Sequence, residues 1–343
     1  MTFEDWKAKV GLGAYRNTGV FRGQKATEYT ATYINKMDLN LTRRHHAITY
    51  PAKTGNSTAA YVCNHLGPTS QAQADVDTAI NNAINGNNLV ACVAMDYGYE
   101  LANGKPYVRY FTFAPNGQLL MSVNLDGRGE KHVPGTCLAC HGGKHYDGQF
   151  PIDNRTTPDL GGHFLPYDIG NFLFSSNPAL TQAAQEKAIY NLNKIAKTTN
   201  LTSYGIDLIN AWYHNDTSTV MDLNYLPQDW KAGIGKIPGI DVTQLYQKVE
   251  ARYCRSCHVA MDSERTTRNP EDFLNWTHTG DPSTDDAFKQ VICGGPATVQ
   301  RNHTMPNSLV TFNNMWSDPV AVKLLQQWSG DSNCLGHADP KLN

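Results

Sequence analysis

Several segments of the first 130 residues are rich in apolar, β-branched and aromatic residues, which predicts β-strands. Three such segments follow one another at 89–97, 106–113 and 118–125. The sequence Ala-Pro-Asn-Gly between the last two indicates a hairpin. Further candidate strands lie earlier in the chain, at 28–35, 46–52 and 59–66.

Helical patterns dominate the rest of the chain. Residues 69–86 predict one helix among the strands, and Asn177-Pro178 predicts the start of another. The apolar positions of that second helix recur at helical spacing, at Leu180, Ala184, Ala188, Leu192 and Ile195. Three more helices are predicted, at 203–214, 243–258 and 319–328.

These patterns predict an α+β protein of two domains, divided near residues 126–136. Residues 1–130 form a small antiparallel sheet with a helix, and residues 131–343 form a mainly helical, loop-rich region. The net charge of −2 gives no electrostatic reason to expect nucleic acid as a partner. No apolar run approaches the roughly 20 residues of a membrane span.

Two CxxCH motifs carry the strongest chemical signal, at Cys137–His141 and Cys254–His258. This pattern is typical of covalent attachment of a c-type haem. Two thiols three residues apart lie over one helical turn and can both bond a single porphyrin, and the following histidine then binds the iron. The sequence therefore predicts two covalently bound haem c groups in the region 131–343. Cys137, Cys140, Cys254 and Cys257 attach them, and His141 and His258 are the proximal ligands.

A four-thiolate zinc site or a redox dithiol is the alternative use of these four cysteines. Zinc ribbons usually bring their CxxC pairs together across roughly 15–20 residues. The two pairs in this chain are much further apart, which favours haem.

Four cysteines remain, and they favour the disulfides Cys63–Cys92 and Cys293–Cys334, because each pair lies within one region of the sequence. Pairing of the strands at 59–66 and 89–97 would bring Cys63 beside Cys92. Free buried thiols are the alternative. Haem attachment and disulfides both indicate a periplasmic or extracellular location. The opening residues 1–13 lack the apolar core of a signal peptide, so we expect that a leader has already been removed.

The second haem has a candidate sixth ligand in Met305, which is followed by Pro306. In small class I cytochromes c the sixth ligand is a methionine, often followed by proline, some tens of residues after the CxxCH. An ordinary core position for Met305 is the alternative, and His303 is the rival ligand. We expect Trp316 and Trp328 to shield this haem from solvent. The whole segment therefore predicts a cytochrome c-like unit.

The first haem has no Met-Pro after its motif, so a histidine is the expected sixth ligand. Ten histidines remain besides the two in the motifs. We rank His46 first, then His163, then His45, which directly precedes His46 in the sequence. His132 and His145 also flank the motif but are close to it in sequence, so either would need a tight loop to reach the opposite face of the haem.

Several blocks resemble a little-characterised family of bacterial di-haem c-type cytochromes with an N-terminal non-haem α/β portion. The resemblance is spread from about residue 34 onward and includes both CxxCH motifs. Its blocks are INKMDLNLTRRHH, LVACVAMDYGYE, VPGTCLACHGG, GGHFLPYDIGNF, LINAWYHN, YCRSCHVAMD and MPNSLVTFNNMW.

The resemblance implies roles for particular residues. A histidine after the DLxL block maps onto His46, and the Met-Pro maps onto Met305. The family tends to have cysteines near Ala47 and Ala60, so the resemblance implies that Cys63 and Cys92 form a relocated disulfide. The chain also resembles in kind, though not in sequence, the cytochromes that polymerise into extracellular conductive filaments.

Together these observations predict a di-haem cytochrome that carries electrons outside the cytoplasm. Its partners are redox proteins or further copies of itself in a homopolymeric filament. The alternative function is a haem enzyme of di-haem peroxidase or oxidoreductase type. An enzyme needs a displaceable sixth ligand and nearby acid–base groups, and no persuasive pair of such groups lies beside either motif.

Overall fold

The computed structural model describes residues 1–12, 20–21, 24–52, 55–98, 106–143, 159–232, 241–261 and 309–329. The chain divides into two compact units. Unit 1 comprises residues 1–36 and 40–223, and unit 2 comprises residues 37–39 and 224–343. The predicted division at 130/131 thus falls inside unit 1. Within the described ranges, no helix is both long and apolar enough to cross a membrane.

A seven-stranded antiparallel sheet dominates unit 1, in the order β11-β3-β4-β5-β6-β7-β8. It confirms the α+β fold class. The segment predicted as one strand at 118–125 instead forms two short strands, and the second of them pairs with β10 outside the large sheet. The strands are β1 Val20–Phe21, β2 Gln24–Lys25, β3 Thr27–Asn35, β4 Leu41–Ala52, β5 Gly55–His65, β6 Leu89–Gly98, β7 Tyr107–Phe113, β8 Leu119–Leu120, β9 Ser122–Val123, β10 Lys131–His132 and β11 Phe172–Leu173.

The strand register assigns every side chain of the central strands to one of two faces, because directly opposed residues share a face and successive residues alternate. Face A contains the row His46, Tyr61, Ala94 and Phe111, one residue from each of β4 to β7. Face B contains two neighbouring rows on the same four strands. Those rows are His45, Val62, Val93 and Thr112, and Ala47, Ala60, Met95 and Tyr110.

In its described residues unit 1 contains a short 3-10 helix, Ile169–Asn171, and the α-helices α1 Phe3–Val10, α2 Gln73–Ile84, α3 Gly135–His141, α4 Gln182–Ala196 and α5 Ser203–Trp212. The predictions at 69–86 and 203–214 are confirmed by α2 and α5. The first helix was not predicted. Thr2 and Asp5 form a reciprocal capping box at its start, and Trp6 packs against the apolar residues of face A, including Phe113.

The helix predicted from Asn177-Pro178 begins later than expected. Thr181 caps α4 by accepting a hydrogen bond from the backbone of Ala184, at 3.2 Å, whereas Asn177 closes a preceding turn. Ala184 itself is exposed, so the predicted apolar stripe was wrong at that position. The buried face includes Gln185, whose side-chain amide bonds both backbone groups of Thr32 at 2.7 and 2.8 Å. A polar side chain thus satisfies open backbone groups of β3, which an apolar pattern cannot reveal.

The predicted disulfide between Cys63 and Cys92 is confirmed. The two residues are directly opposed on β5 and β6, with their Cα atoms 4.0 Å apart. They lie on face A. Ala47 and Ala60, the positions near which the resembling family has cysteines, are directly opposed on face B. The disulfide therefore joins a different strand pair, on the other side of the same sheet.

Unit 2 is helical in its described part: α6 Gln228–Ala232, α7 Val242–Leu245, a π-helical segment Tyr246–Cys254, α8 Arg255–His258, α9 Leu309–Ser317 and α10 Pro319–Ser329. The predicted helices at 243–258 and 319–328 are confirmed. The π-helical segment contacts both α9 and α10. The shared core includes Leu245, Tyr246, Val249, Tyr253, Phe312, Met315, Trp316, Leu325 and Trp328.

Candidate haem sites

The first CxxCH motif lies on one short helix of unit 1. Cys137, Cys140 and His141 all belong to α3, so the two thiols are separated by almost one helical turn. Neither Cys137 nor Cys140 forms a disulfide, in contrast to Cys63 and Cys92 of the sheet. Burial raises the pKa of the Cys137 thiol to about 12, which keeps it protonated at neutral pH. The helix therefore presents two unoxidised thiols beside one histidine.

The imidazole of His141 is oriented by the backbone of His163. The Nδ1 atom of His141 lies 2.7 Å from the carbonyl oxygen of His163, and the amide of His163 donates to the carbonyl of His141 at 2.8 Å. A carbonyl only accepts, so Nδ1 must carry the proton. Metal-binding histidines are commonly held in this way, with Nε2 left for the metal. Burial lowers the pKa of His141 to about 4, so the ring is neutral at neutral pH.

The loop that contains His163 is itself held from behind. The Nδ1 atom of His163 donates to the carbonyl of Asn200, and the side-chain amide of Asn200 donates to the carbonyl of Gly162 at 2.7 Å. A β-carbon at Gly162 would lie 1.8 Å from the hydroxyl oxygen of Tyr110, so only glycine fits at that position. His163, predicted as a candidate sixth ligand, therefore lies with its backbone against the Nδ1 side of His141.

Tyr110 connects the first motif to face B of the sheet. Its ring centre lies 5.8 Å from that of His141. Its hydroxyl is buried without a hydrogen-bond partner among the described residues. Burial, with a further contribution from the nearby Cys137, raises the pKa of this hydroxyl far above its usual value. Buried hydroxyls normally have partners, so Tyr110 has a hydrogen bond to offer to a group bound beside α3.

His45 and His46 point to opposite faces of the sheet. His46, the first-ranked candidate, lies on face A, where its Nδ1 atom is 2.7 Å from a Glu28 carboxylate oxygen and its ring stacks on Tyr61. His45 lies on face B, where its Nε2 atom is 2.5 Å from the Tyr167 hydroxyl. Burial, with smaller contributions from the charges of His46, Arg43 and His141, lowers the pKa of His45 to about 3.

The second CxxCH motif begins at the last residue of the π-helical segment and continues through α8. Neither Cys254 nor Cys257 forms a disulfide, and His258 is buried. Burial raises the pKa of the Cys254 thiol well above its usual value. Cys254 packs against the aromatic core of unit 2. This motif therefore also combines two cysteines outside any disulfide with a buried histidine.

The aromatic surroundings of the second motif contain one unsatisfied donor and one buried cation. The indole nitrogen of Trp316 is buried and has no hydrogen-bond partner in the described part of the chain. Arg255, between the two cysteines, is buried and donates to the Tyr246 hydroxyl at 2.5 Å. Both predicted shielding residues, Trp316 and Trp328, belong to the same core as Cys254.

Several predicted residues lie outside the described ranges: Met305, His303, His145, Cys293 and Cys334. The sixth ligand of the second haem and the second disulfide therefore stay predictions. Among the residues that the structure describes, no group of three or more His, Cys, Asp or Glu side chains is arranged to hold a metal ion. A haem iron takes only axial ligands from the chain, so its site needs no such group.

Sequence reasoning missed Tyr110, Asn200 and Tyr167, which have no motif of their own. The face of His45, in contrast, had a sequence signal. Two consecutive histidines in a strand must point to opposite faces, so only one of the pair can face a given ligand.

No family model, no curated protein and no solved structure matched this chain when it was compared with each of these three sets.

Proposed function

We propose that the chain is a di-haem c-type cytochrome that transfers electrons outside the cytoplasm. The observation that carries the proposal is the pair of CxxCH motifs, each with two cysteines outside any disulfide and a buried or half-buried histidine on a helical segment. At the first motif His141 also has its Nδ1 proton engaged, which leaves Nε2 for iron. A bound c-type haem supplies one-electron chemistry at its iron.

The donor chemistry around both motifs fits a haem. Haem propionates are carboxylates and accept hydrogen bonds. Tyr110 beside the first motif and Trp316 in the core around the second each have a buried donor without a partner among the described residues. Neutral His141 is in the protonation state that binds a metal.

The remaining roles follow from the surroundings of each motif. Cys137 and Cys140 attach the first haem, and His141 is its proximal ligand. Cys254 and Cys257 attach the second haem, and His258 is its proximal ligand. The aromatic core around Cys254 excludes water from the second haem. We retain Met305 as the proposed sixth ligand there, with His303 as its rival.

The disulfide supports the proposed periplasmic or extracellular location. Disulfides such as Cys63–Cys92 persist in oxidising compartments, which are also where c-type haems are attached. In that location the partners are redox proteins or further copies of the chain in a filament. A measurement of particle size separates a monomeric or small carrier from a subunit of a filament.

One observation favours the alternative of a haem enzyme. An enzyme needs a sixth coordination position on the iron that can open. The Nε2 atom of His45, a candidate ligand for this position, is instead in contact with the Tyr167 hydroxyl, at 2.5 Å. A high-spin ferric signal from the wild-type protein would favour the enzyme over the pure electron carrier.

The test of the proposed function is the intact mass of the protein produced in cells that attach c-type haem. We expect two covalent haems in the wild type. The variants Cys137→Ala/Cys140→Ala and Cys254→Ala/Cys257→Ala should each lose one haem, and the control Cys63→Ala/Cys92→Ala should lose none. The mass of the bare polypeptide, or of a polypeptide with bound zinc, would overturn the proposal.

A further inference from the structure

The backbone position of His163 assigns it to the proximal side of the first haem. The Nδ1 and Nε2 atoms of an imidazole point in divergent directions, so a group that accepts from Nδ1 lies away from the metal at Nε2. The carbonyl of His163 is that acceptor for His141. In addition, the Nδ1 atom of His163 is engaged by Asn200. A sixth ligand must approach the iron from the opposite side, which His163 does not occupy.

The sheet separates His46 from the first motif. Tyr110, whose ring lies beside that of His141, belongs to face B, whereas His46 belongs to face A. The side chain of His46 is held there by the Glu28 carboxylate and by stacking on Tyr61. To reach a haem on face B, His46 would have to leave both partners and pass through a continuous sheet.

His45 meets the requirements that His46 and His163 fail. It lies on face B, in the row next to that of Tyr110. Its Nε2 atom has a single hydroxyl partner, Tyr167, and the two rings meet edge to face with centres 4.8 Å apart.

We propose that His45 is the sixth ligand of the first haem, with Tyr167 as the residue that positions its ring. This proposal rests on the proposed di-haem function. On haem binding His45 exchanges its hydrogen bond to the Tyr167 hydroxyl for the bond to iron, while the edge-to-face contact with the Tyr167 ring still fixes the plane of the imidazole. The ligand then comes from the same chain, without a contribution from a neighbouring copy.

The decisive experiment is electron paramagnetic resonance of the ferric protein, with haems per chain counted by mass in every sample. We expect the wild type to be low-spin at the first haem. His45→Ala should keep two haems and gain one equivalent of high-spin ferric haem. The matched control His46→Gln should keep the wild-type spectrum, and His163→Gln should stay low-spin, because it retains the backbone carbonyl that accepts from His141.

A second variant guards against loss of folding in His45→Ala. His45→Met replaces one ligand type by another, so we expect a low-spin haem with the long-wavelength absorption band of methionine-ligated ferric iron and a raised reduction potential. The readout is the gain of that band relative to the wild type.

The outcomes separate this proposal from the function on which it rests. Two haems with an unchanged spectrum in both His45 variants would overturn the assignment of His45 and leave the di-haem function intact. High-spin haem in His46→Gln or His163→Gln alone would transfer the assignment to that residue and overturn ours. Absence of covalent haem from the wild type would overturn both proposals.

Discussion

The imidazole of His141 donates its Nδ1 proton to the carbonyl oxygen of His163 at 2.7 Å, across 22 residues of sequence. Asn200 holds this carbonyl in place through the neighbouring Gly162. This chain of contacts connects a haem-binding motif to a loop that no motif marks. In the proposed di-haem protein, this contact tunes the first haem through its proximal ligand.

We predict that Asn200→Leu raises the reduction potential of the first haem. Loss of the bond to Gly162 loosens the acceptor of the His141 proton, which makes the imidazole a poorer donor to ferric iron. A hydrogen bond is worth about 0.5–1.5 kcal/mol, and about 59 mV corresponds to tenfold in a one-electron equilibrium. The shift should therefore be tens of millivolts. A potentiometric titration measures it, with the second haem as an internal reference that stays unchanged.

Gly162→Ala should destabilise unit 1, because the new methyl group would lie 1.8 Å from the Tyr110 hydroxyl oxygen. Overpacking of this kind costs roughly 1–3 kcal/mol. Tyr110→Phe removes that oxygen but leaves the ring carbon at 2.8 Å, so the double variant should recover only part of the loss. Gly135→Ala is the control, since a β-carbon there meets nothing within 4 Å. Urea unfolding measures all four proteins, and equal losses for Gly162→Ala and Gly135→Ala would refute the contact.

Removal of the disulfide by Cys63→Ala/Cys92→Ala should lower the stability of unit 1 without loss of haem. The bridge joins residues 29 apart in sequence. Because the bridge restricts the unfolded chain, its removal should lower the free energy of unfolding by roughly 3–4 kcal/mol. Thioether bonds to haem resist thiol reductants, so dithiothreitol should bring the wild type to the midpoint of the variant. A wild-type midpoint that is the same with and without dithiothreitol would contradict the bridge.

Asp96 ties α1 to the sheet, and its replacement by Asn should be costly. Its buried carboxylate accepts two hydrogen bonds from Arg109, at 2.6 and 3.0 Å, and one from the indole of Trp6, at 3.2 Å. Loss of one partner of a buried pair costs roughly 3–5 kcal/mol. Because the Arg109 side chain is 27% exposed, we expect the lower end of that range. Thermal unfolding checks it, and Glu130→Gln, at an exposed carboxylate of unit 1, should have little effect.

His65 should make unit 1 less stable in acid. It is buried, its Nδ1 atom donates to the carbonyl of Asn87 at 2.6 Å, and burial lowers its pKa below 6.5. As pH falls through 6.5 the unfolded chain binds a proton that the folded chain still excludes, so stability falls by up to about 1.4 kcal/mol per pH unit. His65→Asn should have a shallower dependence than the wild type, whereas exposed His132→Asn should not. Identical slopes in all three proteins would disprove this role.

The local pattern of the chain was enough to predict most of the sheet. Runs rich in apolar, β-branched and aromatic residues located most of β3 to β7, and the pairing of β5 with β6 then implied the Cys63–Cys92 bridge. Composition is informative because such residues fit a pleated, partly buried surface. It failed at 118–125, where the strand breaks after Leu120 to change partners. A change of partner is a tertiary event without a local signature.

The motifs located both candidate sites, but the surroundings of those sites required the fold. His141, His163 and Asn200 meet through loop geometry, and the acceptors involved are backbone carbonyls that every residue has. The only support for the ranking of His46 above His45 was a resemblance in sequence. The register of β4 places the two histidines on opposite faces of the sheet. Of the two, His45 shares face B with Tyr110, whose ring contacts His141 of α3.

Spectroelectrochemical titration of the purified chain tests the central claim most directly. The account predicts two one-electron transitions per chain, each with the visible absorption changes of low-spin c-type haem. It also predicts that Cys137→Ala/Cys140→Ala abolishes one transition and Cys254→Ala/Cys257→Ala the other. A chain without haem absorption, or with a single transition unaffected by either double variant, would contradict the account.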